Sequence, residues 1–421
     1  MFAPLNLCLC MWSAVGITGG SDSLFALPAP GGAAGCFRPV GMSTDGLAIG
    51  GNFTPAGAMG VQPVIWQKSS GTTAMRVPST AAWARLVGLV SDGATAVVAT
   101  DSSTGVAFVR WESGSAEAPQ TIGGGGVMAC TALSADGRVI AGSMPAPGVE
   151  RVAATYDAER GLIEVPHPMY TVRTECIGID RTGARVLANA VFQTGHERPF
   201  VYSADEGLVD LWGLAADVPA TAGAISASGR YIAGSMGGEP GAVRPYRWSD
   251  AQGAIELATP WGENVFATHI SGDGSLIAGT RGPAADSHAW IWTQAGGARD
   301  LAELLADRGV STQGWTLESI GAVSRDGTTI AGVGVRNGNR SGWVANLASQ
   351  RCGAADLTGP GGWPGGDGLL TADDIVMFLS AYFSGDSAAD VAALGGVNRA
   401  DGVVTTDDVA AFLAAFFAGC P

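Results

Sequence analysis

The chain has 421 residues, 64 of them glycine, with 14% charged residues and a net charge of −15. That length suits one large repeat domain plus a small one, and so glycine-rich, charge-poor a composition suits short strands joined by turns, not helical bundles. The acidity, with Lys68 the only lysine beside 22 arginines, argues against a nucleic-acid-binding surface.

Residues 1–20 read as a leader. Leu5 to Val15 has the length of a signal-peptide core and is too short to span a bilayer, although no Lys or Arg precedes it. No other segment reads as transmembrane, and the protein is expected to be secreted or held at the cell surface. Cys8 and Cys10 fall in the leader. The other five cysteines form no CxxC pair, so a zinc site is not expected. Their odd number leaves at least one thiol unpaired, with Cys36 the candidate.

From residue 21 to 349 the chain repeats itself. The phrase Ser324-Arg325-Asp326-Gly327 returns as Ser43-Thr44-Asp45-Gly46, Ser134-Ala135-Asp136-Gly137 and Ser271-Gly272-Asp273-Gly274, with looser copies ending at Gly93, Gly183 and Gly229. An aromatic follows each of these seven glycines by 16 to 20 residues: Trp66, Trp111, Tyr156, Tyr202, Trp248, Trp292 and Trp343. Two markers in register over seven copies define a repeat. Each unit reads as four strands: an apolar run into the turn, a second run such as Tyr231 to Gly234, a third ending on the aromatic, and a fourth such as Gly253 to Leu257. The turn glycine supplies a positive φ that other residues adopt only at a cost.

Four strands in about 46 residues is the blade size of a β-propeller, so the fold expected is all-β and seven-bladed. The marker aromatics are read as packing between blades. The seventh unit runs out after three strands, and Ser23 to Pro28 supplies the pattern of the missing fourth, closing the ring. Cys130 and Cys176 stand at equivalent inner-strand positions of adjacent blades, where a cross-blade disulfide is conceivable.

Repeats six and seven carry a resemblance. Asp300 to Leu305, Gly314-Trp315-Thr316-Leu317, Ser324 to Gly332 and Gly342 to Ala345 are similar to the HAF-repeat extracellular family, over about residues 35 to 347. The fourth repeat departs from it, with Asp180 and Thr182 in place of Ser and Asp. The resemblance implies a secreted or surface propeller and no particular activity.

Residues 350–421 follow another grammar, two copies at an offset of 34. Asp356, Asp367, Gly368, Asp373, Asp374, Phe378 and Leu379 recur as Asp390, Asp401, Gly402, Asp407, Asp408, Phe412 and Leu413. An Asp-Gly pair with a further Asp six residues after the Gly matches an EF-hand-type loop, so these eight aspartates are the candidate calcium ligands. Trp363 and Gly365 stand where the first ligands would be, but a longer glycine-rich loop brings Asp356 and Asp390 back to that place. Thr371 with Asp374, and Thr405 with Asp408, also have capping-box spacing. Nine acids against two arginines make this tail strongly acidic. Phe378, Leu379, Tyr382, Phe383, Phe412, Leu413, Phe416 and Phe417 are expected to be most of its core.

The duplicated pattern and the ending Gly419-Cys420-Pro421 resemble a GC-type dockerin module over all of this tail. The resemblance implies a small paired-helix calcium domain that attaches its host to a surface or partner, such as a cohesin-like receptor. Such a domain brings its ends together, implying a Cys352–Cys420 disulfide.

No GxSxG, HExxH or P-loop occurs, and His167, His196, His269 and His288 are scattered over the repeats. Propeller topology gathers Trp83, Trp261 and Trp315 on one rim with the loops at Arg281 and Arg336 to Arg340, a face that suits sugar rings. Two function classes follow. One is a non-catalytic propeller binding an extracellular glycan or surface protein. The other is a propeller enzyme, a polysaccharide lyase or hydrolase, carried by the dockerin-like tail.

Overall fold

The computed structural model describes residues 22–347 apart from 79, 103–104, 114–119, 125–128, 158, 212–217, 238–242, 263, 284–285 and 295. In the tail it describes 355, 357–359, 363–364, 370, 372–385, 389–391 and 403–418. The leader, Asp356, Asp367, Asp401, Cys352 and Cys420 lie outside the described residues.

Between residues 23 and 346 the chain forms four-stranded antiparallel groups in sequence order: 35–74, 84–124, 129–164, 171–210, 220–256, 265–300 and 315–346. These are called sheets one to seven below. A single parallel pairing, Arg151 with Arg173, joins the third to the fourth. The fourth strand of sheet seven is the N-terminal segment Ser23–Ala26, paired with residues 343–346 so that Leu24 faces Ala345 and Phe25 faces Val344. Each first strand touches the first strand of the next sheet, and Trp315–Val323 touches Gly35–Met42.

Each turn glycine sits at positive φ, for example 72° at Gly327. The residue two before the turn Asp-Gly aspartate anchors the hairpin: Ser134 donates to Asp136 at 2.7 Å while its Oγ accepts the Val139 N–H at 2.9 Å. Ser43, Ser271 and Ser324 repeat both bonds. In sheet four the roles are exchanged, because Thr182 donates to Asp180 at 2.7 Å and Asp180 accepts from Arg185 N–H. The swap of residue types keeps the same hydrogen bonds.

The residues between those anchors link one sheet to the next by backbone bonds. Thr44 donates to Ser91, Ser91 to Ala135, Ala135 to Arg181, Arg181 to Ala227, and Ala227 to Gly272, while Asp273 donates to Arg325. The marker aromatics pack where expected, each in a cluster shared with the preceding sheet. Trp111 joins Ala48 and Ile65, Trp248 joins Leu187 and Val201, and Trp343 joins Leu276 and Ile291. Trp66 joins Ala331 and Val344 of sheet seven, with the Phe25 ring 5.5 Å away.

The glycine that ends each Ile-Ala-Gly run has a steric cause. A Cβ on Gly234 would collide with the Thr221 carbonyl and the Tyr246 ring, and one on Gly332 with the Ser319 carbonyl and the Trp343 ring. First and second strands therefore approach too closely for a side chain.

One element was not anticipated. Helix α1 (Leu301–Asp307) follows sheet six and accounts for the longest repeat spacing. Asp300 caps it by accepting from Ala302 and Glu303 N–H, and Leu301, Leu304 and Leu305 bury between sheets six and seven.

In the tail, helices α2 (Ala372–Ser384) and α3 (Thr406–Ala418) stack Phe378 on Phe412 at 4.1 Å between ring centroids. Ala355, Ala381 and Ala389 complete the buried cluster. The expected core needs correcting. Phe383 and Phe417 are each 81% exposed, Leu379 is 41% and Leu413 39% exposed. Helical periodicity explains this, since Phe378 and Tyr382 share one face while their immediate neighbours turn about 100° away.

Candidate functional site

The recurring turn aspartates are structural acceptors. Burial draws the Asp136 carboxyl upward, but bonds from Ser134 and the Arg138 N–H outweigh it and hold the group below the usual carboxylate range. A carboxylate so engaged is committed to its hairpin.

The opposite edge carries the starts of the first strands and the connections between second and third strands, and Trp83, Trp261 and Trp315 all stand there. They differ in what covers them. The Arg281 guanidinium lies 4.9 Å from the Trp261 ring centroid, and Trp290 meets that ring edge-on at 6.3 Å. Arg281 is itself fixed by Asp300 at 2.7 Å. Trp315 is covered in the same way by Arg336 at 5.4 Å. These stacked guanidinium groups consolidate the two partly buried indoles.

Trp83 is 43% exposed with no such cover among the described residues. Its backbone is nevertheless pinned. Asp101 Oδ1 accepts the N–H groups of Ala82 at 2.7 Å and Trp83 at 3.1 Å. Those bonds, Trp83's foremost, hold the Asp101 carboxyl below its ordinary range. An exposed indole on a fixed backbone is a preorganised contact surface. The same edge presents Tyr170, 71% exposed with φ 63°, and Met59 in the loop of sheet one. Both were missed in the sequence, where a lone aromatic or methionine in a loop carries no periodic signal.

Cys130 and Cys176 do lie on neighbouring first strands, but no disulfide joins them and both remain thiols. Burial pushes the Cys130 thiol up to about 12, with Cys176 adding to it, and burial pushes Cys176 up to about 11. Cys36, the expected unpaired residue, is also a thiol.

In the tail the repeated aspartates divide into two kinds. Asp374 and Asp408 are fully buried, and Asp373 and Asp407 stand in the first turns of α2 and α3. Asp374 accepts the Leu357 N–H at 2.8 Å, and Asp408 accepts the Val391 N–H at 2.7 Å. Leu357 and Val391 directly follow Asp356 and Asp390. In each copy the residue that follows the first aspartate thus bonds to the last one. The capping box is also present at α3, where Asp408 accepts from Thr405 N–H at 2.7 Å and Thr405 Oγ1 accepts from Asp407 N–H at 3.2 Å. Among the described residues no three His, Cys, Asp or Glu side chains gather as a metal-holding group.

No family model matches the chain, and no curated protein matches it. Solved structures do. An oligogalacturonate lyase from Vibrio parahaemolyticus is similar at 11% identity and a TM-score of 0.52, over 77% of this chain and 93% of that one. An oligogalacturonate lyase in complex with manganese is similar at 12% identity and a TM-score of 0.52, again over 77% and 93%. The β-propeller domain of the Trilobed protease from Pyrococcus furiosus is 12% identical with a TM-score of 0.45, over 62% of this chain and 79% of that one. At such identities the likeness concerns fold alone, and the fold is that of a β-propeller.

Proposed function

We propose that this protein is a non-catalytic binding propeller, secreted or held at the cell surface, whose seven sheets close as one seven-bladed ring. Its ligand is a glycan or a surface protein, met on the rim that bears Trp83. The observation that carries this reading is an indole that is exposed while its backbone is locked by Asp101. A side chain serving only the fold would be covered, as Trp261 and Trp315 are. Ring closure is supported by the pairing of Ser23–Ala26 with sheet seven and by the packing of Phe25 on Trp66 of sheet one.

The tail, in this reading, is a dockerin-like calcium module that displays the propeller. Asp356, Asp367 and Asp374 would hold one ion and Asp390, Asp401 and Asp408 the other, with Asp373 and Asp407 favouring cations at the helix starts. The bond from the residue after each first aspartate to the last one supports this assignment. Val376, Leu379 and Phe383 on α2, with Leu413 and Phe417 on α3, leave an exposed apolar stripe on each helix. Contiguous apolar surface of that kind suits a partner protein, here a cohesin-like receptor. Among the described residues no helix is long and apolar enough to cross a membrane.

The test is a screen of the full chain against extracellular glycans and surface extracts, with product formation followed in parallel. Saturable binding without turnover supports the reading. Turnover of a polysaccharide would establish the enzyme alternative.

A further inference from the structure

Among the arginines on the first strands at this rim, Arg38 and Arg85 stand apart from Arg173, which is ion-paired with Glu175. Arg38 and Arg85 are exposed on the first strands of sheets one and two, each five residues before its hairpin anchor position, Ser43 or Val90. Arg38 stands opposite Asn52 within sheet one, and Asn52 Oδ1 accepts the Leu86 N–H at 3.0 Å, directly beside Arg85. One asparagine therefore fixes both arginine-bearing strands against each other. Neither guanidinium has an ion-pair partner among the described residues. Of the other arginines at this edge, Arg173 pairs with Glu175, Arg244 with Glu256, Arg281 with Asp300 and Arg340 with Glu318, Arg336 lies over Trp315, and Arg151 on sheet three is exposed.

In a chain of net charge −15, two exposed guanidinium groups on touching first strands leave positive charge open to an anion from outside. Planar guanidinium forks match carboxylates with two parallel hydrogen bonds, and two forks in one mouth concentrate an anion there. Trp83 immediately precedes that strand, two residues before Arg85, and both side chains are exposed. Charge for a carboxylate and an indole for a ring face are thus presented together.

We propose that the mouth of the ring between sheets one and two binds a carboxylate-bearing sugar, with Arg38 and Arg85 holding the carboxylate and Trp83 stacking on the sugar ring. This rests on the glycan-binding reading given above and narrows it to acidic saccharides. Glu175 on sheet four and Glu318 on sheet seven, whose first strand touches that of sheet one, are held by Arg173 and Arg340, which neutralise them.

Binding of the full chain to oligogalacturonates, alginate oligomers, sulfated oligosaccharides and neutral cello-oligosaccharides tests this by titration calorimetry. The uronates are expected to bind at least tenfold tighter than neutral sugars, and to weaken as NaCl is raised. Arg38→Gln and Arg85→Gln should each lose tenfold or more in affinity while keeping the wild-type melting temperature. Trp83→Ala should also weaken binding, and Trp261→Ala should not. Uronate binding that survives Arg38→Gln/Arg85→Gln, or a preference for sulfated or neutral sugars, overturns the proposal and leaves the glycan reading intact. Binding to none of these saccharides also overturns the proposal and leaves a surface protein as the ligand of the rim.

Discussion

Asn189 grips Ala222 with both ends of its amide: Oδ1 accepts the Ala222 N–H at 2.8 Å, and Nδ2 donates to the Ala222 carbonyl at 3.1 Å. The contact crosses from the second strand of sheet four to the first strand of sheet five. The same station is filled by Asn52 on Leu86, Ser143 on Cys176 and Ser235 on Ala267, each side chain accepting a backbone N–H. Each clasp joins the second strand of one sheet to the first strand of the next. Asn189→Ala leaves the Ala222 N–H unpaired, at a cost of about 1–3 kcal/mol in urea unfolding. Asn189→Asp keeps the acceptor and should lose less. Unchanged stability in Asn189→Ala would show that the clasp contributes nothing.

Gly332→Ala should destabilise the seventh sheet more than a surface Gly→Ala does, because the added methyl meets the Ser319 carbonyl and the Trp343 ring. Overpacking of this kind costs roughly 1–3 kcal/mol, and here neither neighbour is a flexible side-chain end. Gly338→Ala, with open space around its Cβ but φ 81°, separates backbone strain from collision. Thermal melts of the two variants check this, and equal losses would contradict it.

Acid should weaken the ring at one identifiable place. His269 sits on the first strand of sheet six, its Nδ1 2.9 Å from the Thr268 hydroxyl and its ring bonded to the Gly321 backbone of sheet seven. Burial keeps the imidazole neutral and pushes it down to about 4, from an ordinary 6.5. The unfolded chain then binds the proton first. The stability that neutral His269 contributes is complete above pH 6.5 and is lost as pH falls towards 4, by at most about 3 kcal/mol. Unfolding curves at pH 7 and pH 4.5 should converge in His269→Gln relative to wild type. An unaltered pH dependence would contradict this.

The tail should depend on its buried carboxylates even without calcium. Asp408→Ala strands the Val391 and Thr405 N–H groups, a loss of at least about 1–3 kcal/mol. Calcium at tenfold over its dissociation constant should add about 1.4 kcal/mol per site. Helix content of the full chain, followed by circular dichroism with chelator under reducing and oxidising conditions, measures both. Helix should be lost on chelation mainly under reducing conditions, and a tail equally indifferent to chelator in both redox states would remove calcium from the account.

The hairpin phase was legible because Gly46, Gly93, Gly137, Gly183, Gly229, Gly274 and Gly327 need positive φ, and the aromatics report the third strand. What local pattern could not reveal was contact between neighbouring sheets. A polar residue six positions after the turn glycine recurs as Asn52, Ser143, Asn189 and Ser235, but short polar side chains are common in strands and only the neighbouring backbone gives them meaning. Helix α1 was hidden because seven residues are too few for an amphipathic signal, although Asp300 ahead of a Leu-Ala-Glu-Leu-Leu run is a capping signature. The tail core was misread at Phe383 and Phe417, where an apolar residue on an exposed helix face looks the same in sequence as a buried one. At the rim, Trp83, Trp261 and Trp315 were placed on one edge by propeller topology, but the arginines that cover two of them lie 20 and 21 residues further on and gave no signal.

The binding reading turns on Trp83, and one comparison tests it most directly. The dissociation constant of the tightest-binding glycan or surface protein is measured for wild type and for Trp83→Ala, with reaction products assayed in the same samples. Truncating a central aromatic anchor to alanine costs about 2 kcal/mol or more, so affinity should fall at least tenfold with no product formed by either protein. Equal affinities for the two proteins, or product released by the wild type, would contradict a non-catalytic binding face at Trp83.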